Sequence, residues 1–188
     1  GTASLLRDVI EAAEQKILAY INEKNPDLPE KELIARQIGI SALTFNDLKN
    51  RRLMDVKFDW DSALSFDGAT GPYVQNAHVR LCSIMRKAGY SVKLSEVNFS
   101  ELTDDSAYEL IKLLARKGEK ILSACEMEEP SVLAQYALEL SEAAHRFIHN
   151  DRVLGSAEEK SRLYLVQSAQ CVMENVLDLL GLFPIRQM

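Results

Sequence analysis

The sequence is poor in the residue patterns that mark disulfide-bonded, metal-binding or membrane-spanning proteins. Its 188 residues include three cysteines, Cys82, Cys125 and Cys171, which lie far apart and form no Cys-x-x-Cys pair. The odd number and wide spacing predict reduced thiols in a cytoplasmic protein rather than a disulfide framework. No apolar run approaches the roughly 20 residues that a transmembrane helix needs, so no membrane partner is expected.

Catalytic motifs are also missing. The sequence contains no Gly-x-Ser-x-Gly nucleophile turn, no phosphate-binding loop and no Gly-x-Gly-x-x-Gly segment. His145 and His149 have the i, i+4 spacing of a metal-ligand pair, but no third ligand completes the motif, which favours structural or solvated histidines. We therefore predict no catalytic residue and no metal site in this chain.

Positive charge is in the minority. The chain has 22 Lys and Arg residues against 28 Asp and Glu residues, which gives a net charge of −6. Indiscriminate binding to nucleic acids depends on dense positive charge, so this composition argues against it. A local basic surface on an acidic protein remains compatible with the same numbers.

Helical periodicity dominates the sequence and predicts a mostly α fold. The first helix follows Ser4 as a candidate N-cap, and a second helix is predicted over residues 29–48, with Gly39 as a candidate break. Four long helices are predicted from Gly71 onwards, one of them running without interruption over residues 104–127. This later part is typical of a helical bundle.

Residues 54–60 follow a different period. Apolar and polar side chains alternate there, which predicts a short strand or an extended arm. The apolar positions are Met54, Val56, Phe58 and Trp60.

The segment GPYVQNAHVR opens a predicted helix with an unusual density of polar and aromatic residues. Thr70 is the candidate N-cap, Pro72 suits the first turn, and Gly89 suits the C-cap. An aromatic ring, an amide and two cations fall on one side of this helix and suit base stacking, base-edge hydrogen bonding and phosphate binding. An ordinary solvated polar face explains these residues equally well. They are Tyr73, Asn76, Arg80 and Lys87.

A second group of cations lies in the segment IKLLARKGEK. These side chains share one helix flank and suit a phosphate backbone, although a charge run is more often a solvated face. They are Lys112, Arg116, Lys117 and Lys120.

A longer run of motifs resembles arginyl-tRNA synthetases. Asp47, Leu48 and Arg51 or Arg52 match an Asp-Leu-x-x-x-Arg segment, and Phe58-Asp59 matches a Phe-Asp segment. Residues 70–87 match Thr-Gly-Pro-Tyr-(Leu/Val)-Gln-Tyr-Ala-His-x-Arg followed by Ser-Ile-x-Arg-Lys. The last segment is similar to the family's final helix, which ends in Leu-Gly-(Ile/Leu)-x-x-Pro-x-x-Met, here at Met188.

The resemblance implies two parts. Residues 1–66 would be the C-terminal tail of a class I catalytic domain, and residues 67–188 would be a helical-bundle anticodon-binding domain of the DALR type. The Lys-Met-Ser-Lys-Ser-type loop and the His-Ile-Gly-His-type ATP motif are expected in a preceding catalytic domain. The resemblance also implies a monomeric, cytoplasmic parent enzyme that uses ATP and Mg²⁺ to charge tRNA-Arg with arginine.

The same resemblance implies where the chain contacts tRNA. Two departures reduce the stacking surface: Asn76 stands where the family usually has Tyr, and Ile148 stands where Tyr is common. Each lost stack is worth ~1–3 kcal/mol per base. The charge and these departures leave a stand-alone helical protein-interaction module as the alternative. The implied tRNA contacts are Tyr73, Asn76, Arg80, Lys87, Arg152 and Met188.

Overall fold

A computed structural model describes residues 5–55 and 59–188, and within these ranges the protein is helical and contains no strand. This confirms the prediction of a mostly α fold. Two short 3-10 helices, Leu94–Glu96 and Phe99–Glu101, connect the fourth and fifth α-helices. The α-helices are α1 (Leu6–Lys24), α2 (Lys31–Leu48), α3 (Trp60–Ala63), α4 (Gly71–Ala88), α5 (Asp105–Ala115), α6 (Lys117–Glu126), α7 (Ser131–Asn150) and α8 (Glu159–Leu179).

Two features predicted near the N-terminus fall outside the described residues. Ser4, the candidate N-cap, is one of them, and so are residues 56–58, which form the middle of the predicted strand or arm and include the Phe58 motif position. On either side of this gap, Met54 lies in a turn and Trp60 begins α3.

The helices α1 and α2 form a closely packed hairpin. Its apolar core includes Ile17, Ile21 and Ile38, all buried. The prediction that Gly39 breaks the second helix is wrong, because α2 continues through it. A Cβ on Gly39 would lie 3.1–3.2 Å from backbone atoms of α1, so the glycine serves the close approach of the two helices.

The larger apolar core lies among α4, α5, α7 and α8. Side chains from all four helices are fully buried there, and Phe45 of α2 joins them. The helix α2 therefore contributes to both apolar clusters, and the predicted division of the chain between residues 66 and 67 stays a prediction. Representative core residues are Leu81, Leu110, Tyr136, Phe147 and Met173.

The single helix predicted over residues 104–127 is interrupted at Arg116, so the chain forms five helices rather than four from Gly71 onwards. The Tyr136 hydroxyl of α7 donates to the Leu113 carbonyl at 2.8 Å. The Arg116 N–H bonds to that carbonyl at 3.1 Å, an i to i+3 contact that tightens the turn. Gly118 then weakens the helix that would have continued.

The ends of α4 form as the sequence predicts. The Thr70 hydroxyl oxygen accepts a hydrogen bond from the Tyr73 N–H at 3.1 Å, and Pro72 lies in the first turn. Gly89 ends the helix with a positive φ of 74°, and its N–H bonds to the Met85 carbonyl. These contacts confirm the predicted caps and determine where α4 begins and ends.

Within the described ranges, no helix is both long and apolar enough to cross a lipid bilayer.

Replacing Gly71 with alanine is expected to lower the free energy of unfolding by about 1–3 kcal/mol. A Cβ at this position would lie 2.7 Å from the Ser41 carbonyl oxygen of α2, so one of two packed helices must move. Gly118→Ala is the matched control, because a Cβ there meets nothing within 4 Å and alanine favours the helix. Urea unfolding measures both, and an unchanged Gly71→Ala variant would contradict this close approach.

Candidate nucleic-acid interface

Four of the predicted tRNA contacts form one strip along α4, which we call the α4 strip: Tyr73, Asn76, Arg80 and Lys87. Their spacing places them within about 60° around the helix axis. Arg80 and Lys87 are exposed, while Tyr73 and Asn76 are half-buried. The structure therefore brings these four residues together and leaves them open to solvent.

His145 of α7 contacts two residues of the α4 strip, Tyr73 and Arg80. An Arg80 guanidinium nitrogen, Nη1, lies 2.9 Å from His145 Nδ1, and the Tyr73 ring lies 5.0 Å from the imidazole ring. Because a guanidinium can only donate, Nδ1 is the acceptor and the imidazole is neutral. Burial lowers the pKa of His145, and the charge of Arg80 lowers it further.

His145 and His149, whose spacing resembles that of a metal-ligand pair, have different surroundings. His145 bonds to Arg80, whereas His149 is exposed. The described part of the chain contains no group of three or more His, Cys, Asp or Glu side chains that could hold a metal ion.

The other flank of α4 binds the backbone of the C-terminal tail, residues 180–188. Gln75 Nε2 donates to the Phe183 carbonyl at 2.8 Å, and His78 Nδ1 donates to the Ile185 carbonyl at 2.8 Å. Arg86 Nη1 donates to the Arg186 carbonyl at 3.1 Å. Three side chains of one helix thus fix the register of the tail.

This register places the last residue beside the α4 strip. The Asn76 amide nitrogen lies 3.5 Å from Met188 Sδ, and the Asn25 amide donates to the Met188 carbonyl at 3.5 Å. A cavity of about 320 Å³ opens next to them, which we call the terminal cavity. Its lining comes from α1, α4, the tail and Phe66.

Sequence reasoning missed the contribution of α1 to this cavity. Tyr20, Lys24 and Asn25 line it, together with Phe66. Tyr20 and Ile21 both fit the apolar stripe of the first helix, so periodicity alone does not separate them. Only the packing shows that Ile21 is buried and that Tyr20 is 39% exposed.

Arg152 is not among the contacts of the α4 strip. It lies between α7 and α8, where its Nε donates to the Leu154 carbonyl at 3.0 Å. Its guanidinium also lies against Gly155. These contacts stabilise the turn, and a direct role of Arg152 in RNA binding stays a prediction.

Two of the four cations in the second group are paired with acidic residues three positions away. Lys112 forms an ion pair with Glu109 at 2.9 Å, and Arg116 forms one with Glu119 at 2.9 Å. Such i, i+3 pairs are typical of a solvated helix face, which favours that interpretation over a phosphate track.

Comparison with known proteins identifies the bundle. Residues 74–188 match the family model described as the DALR anticodon binding domain. The chain belongs to this family. Residues 1–60 match the catalytic-domain model of class I tRNA synthetases of the arginine type.

Relatives of this DALR protein are arginine–tRNA ligases. It is 38% identical to the arginine–tRNA ligase of Alkaliphilus metalliredigens over 184 residues, which cover 97% of this chain and 32% of that protein. It is 41% identical to arginine–tRNA ligase 1 of Bacillus cereus over 182 residues. The chain thus spans about a third of the length of these relatives, and the predicted resemblance is confirmed.

Solved structures give the same result for the fold. The DALR protein is similar to Thermus thermophilus arginyl-tRNA synthetase, with a TM-score of 0.91 and 37% identity over 99% of this chain and 32% of that chain. It is also similar to the Plasmodium falciparum arginyl-tRNA synthetase, with a TM-score of 0.82, 26% identity and coverage of 97% and 32%.

The stability of the DALR protein is expected to fall as pH drops below about 6.5, in part through His78. Burial lowers the pKa of His78 from its usual 6.5, although the hydrogen bond to Ile185 opposes this shift. At acidic pH the unfolded chain then binds more protons than the folded one. The contribution of His78 to the free energy of unfolding is therefore present above pH 6.5 and is lost as the pH falls through the pKa of His78 in the folded protein.

Chemical unfolding between pH 7.5 and 5 measures this effect. His78→Asn is expected to flatten the pH dependence by at most about 1.4 kcal/mol per pH unit, the limit for one proton. Replacement of the exposed His149 by Asn is the control. Identical slopes for His78→Asn and the unchanged protein would contradict a buried neutral imidazole.

Proposed function

We propose that the α4 strip and the C-terminal tail bind the anticodon arm of tRNA-Arg, in an enzyme that ligates arginine to that tRNA. One observation carries this proposal: the half-buried ring of Tyr73 and the exposed guanidinium of Arg80 share a helix face with Asn76, which touches Met188, in a chain of the DALR family. Similarity to arginine–tRNA ligases supports tRNA-Arg as the partner.

The charge of this surface supports RNA binding despite the acidic chain. The helix α4 carries Arg80, Arg86 and Lys87 and no Asp or Glu, whereas Arg186 of the tail is paired with Glu174 at 2.9 Å. Phosphate oxygens therefore meet a local positive surface, while the net charge of −6 comes from other parts of the molecule.

Asn76 and Ile148 stand at positions where Tyr is common in the family, so we expect fewer RNA bases to stack on this surface. Asn76 presents an amide to the terminal cavity, and Ile148 is half-buried against the bundle core. Tyr73 is then the main stacking surface of the α4 strip, with Asn76 and the Met188 thioether available to a base edge. Each missing ring lowers the binding free energy available from base stacking by ~1–3 kcal/mol.

The ligation chemistry belongs to the proposed whole enzyme. ATP, Mg²⁺ and arginine are its implied substrates and metal ion, and we assign none of them to a residue of this chain. A protein that charges tRNA acts where translation occurs, so we place it in the cytoplasm, and its monomeric state stays a prediction.

Substitutions on the α4 strip are expected to weaken binding of this chain to the anticodon stem-loop of tRNA-Arg. Arg80→Ala removes one phosphate contact, so the slope of log affinity against log salt should fall by about 1. Tyr73→Leu keeps the apolar bulk but loses the ring, which should cost about 1–3 kcal/mol with little change in slope. Fluorescence anisotropy at several salt concentrations measures both.

Arg116→Ala is the matched control, because this exposed arginine is paired with Glu119 outside the strip. It is expected to bind like the unchanged chain. Absence of RNA binding even at low salt would instead favour a protein-interaction module.

In the whole enzyme, Arg80→Ala is expected to raise the KM for tRNA while ATP–pyrophosphate exchange with arginine stays nearly intact. The reason is that the strip contacts tRNA and not the activated amino acid. Equal damage to both steps would mean that Arg80 maintains the fold. Robust exchange by the 188-residue chain alone would contradict the proposed division of labour.

A further inference from the structure

A second cavity, of about 400 Å³, lies beside the terminal cavity on the surface of α1. We call it the aromatic cleft. Its lining includes three aromatic rings, one lysine and two carboxylates: Tyr20, Trp60, Phe66, Lys16, Asp61 and Asp67.

Two of these rings separate the aromatic cleft from the terminal cavity. Tyr20 and Phe66 are stacked, with ring centroids 4.4 Å apart and an interplanar angle of 17°, and both residues line both cavities. Tyr20 is 39% exposed, so this stacked pair lies at the surface rather than in the core. The cleft therefore lies next to the surface that carries Asn76 and Met188, on the other side of these two rings.

We propose that the aromatic cleft is a second base-binding subsite, which takes one unpaired RNA base that carries an exocyclic amine. The inference rests on the proposed binding of RNA by the α4 strip. Flat rings at a surface offer a stacking platform to any base, and a neighbouring nucleotide in the terminal cavity would lie across the Tyr20–Phe66 wall.

The charges of the cleft select a base over a phosphate. Asp61 and Asp67 would repel a phosphate, whereas carboxylates accept hydrogen bonds from the amine of cytosine, adenine or guanine. The Lys16 ammonium lies 5.8 Å from the centroid of the Trp60 ring and remains available to the RNA backbone at the rim. Uracil has no exocyclic amine and offers the two carboxylates only its N3–H, one donor fewer than a base that presents both N–H bonds of an amine.

The test uses the 188-residue chain and the anticodon stem-loop of tRNA-Arg. Trp60 lines the aromatic cleft and not the terminal cavity, so Trp60→Leu is expected to weaken binding by about 5- to 150-fold, the effect of losing one base–aromatic stack. Trp60→Phe keeps an aromatic ring and is expected to bind more tightly than Trp60→Leu. Tyr108→Leu is the matched control, because Tyr108 is 60% exposed and has the Lys112 ammonium 5.4 Å from its ring, but lies outside the cleft.

A second set of probes tests the base. Stem-loops in which one loop base at a time lacks its amine (uridine for cytidine, inosine for guanosine, purine riboside for adenosine) are measured against the unchanged chain and Asp61→Ala/Asp67→Ala. One position is expected to lose affinity with the unchanged chain and to lose none with the double variant. This coupling identifies the bound base and does not arise from a general loss of stability.

The outcomes separate this inference from the proposed function. If Tyr73→Leu weakens binding and Trp60→Leu does not, the cleft is not a subsite, while the α4 strip remains one. If every amine-lacking loop binds like the original in all variants, the assignment of the base is overturned. If Trp60→Leu and Tyr108→Leu weaken binding equally, the cleft has no special role.

Discussion

The hydrogen bonds from α4 to the C-terminal tail are the constraint on which the candidate interface depends. Gln75 and His78 are fully buried, and a buried polar group without a partner costs about 1–3 kcal/mol. His78 bonds to the Ile185 carbonyl of the tail, and Gln75 Nε2 donates both to the Phe183 carbonyl and, at 3.0 Å, to the Ser41 hydroxyl of α2. Release of the tail would leave these buried groups with fewer hydrogen bonds, so the same contacts stabilise the position of Met188 beside Asn76.

Three sides of α4 make different contacts, which explains the high density of polar and aromatic residues in its first turns. One face packs Val74, Ala77 and Leu81 into the bundle, and one flank binds the tail. The remaining strip faces solvent and carries the ring and the guanidinium. Because α4 has no acidic residue, its exposed side carries positive charge, although the net charge of the chain is negative.

Local rules predicted much of the fold, because caps and apolar stripes depend on neighbours in sequence. Thr70 and Gly89 end α4 as expected. The interruption at Arg116 escaped prediction because a hydroxyl from another helix, that of Tyr136, binds the Leu113 carbonyl. Motif resemblance likewise predicted the α4 strip, but residues of α1 reach the terminal cavity only through packing, which no motif records.

The position of α2 links the two parts of the chain that the resemblance distinguishes. Phe45 lies in the bundle core, while Ile34 and Ile38 pack with α1 and with Ile185 of the tail. A ligand in the terminal cavity would touch α1, α4 and the tail at once. Its binding free energy therefore depends on how the α1–α2 hairpin sits against the bundle. If the proposed RNA binding holds, a substitution at the α2–α4 contact is expected to alter RNA affinity without changing any residue of the proposed interface.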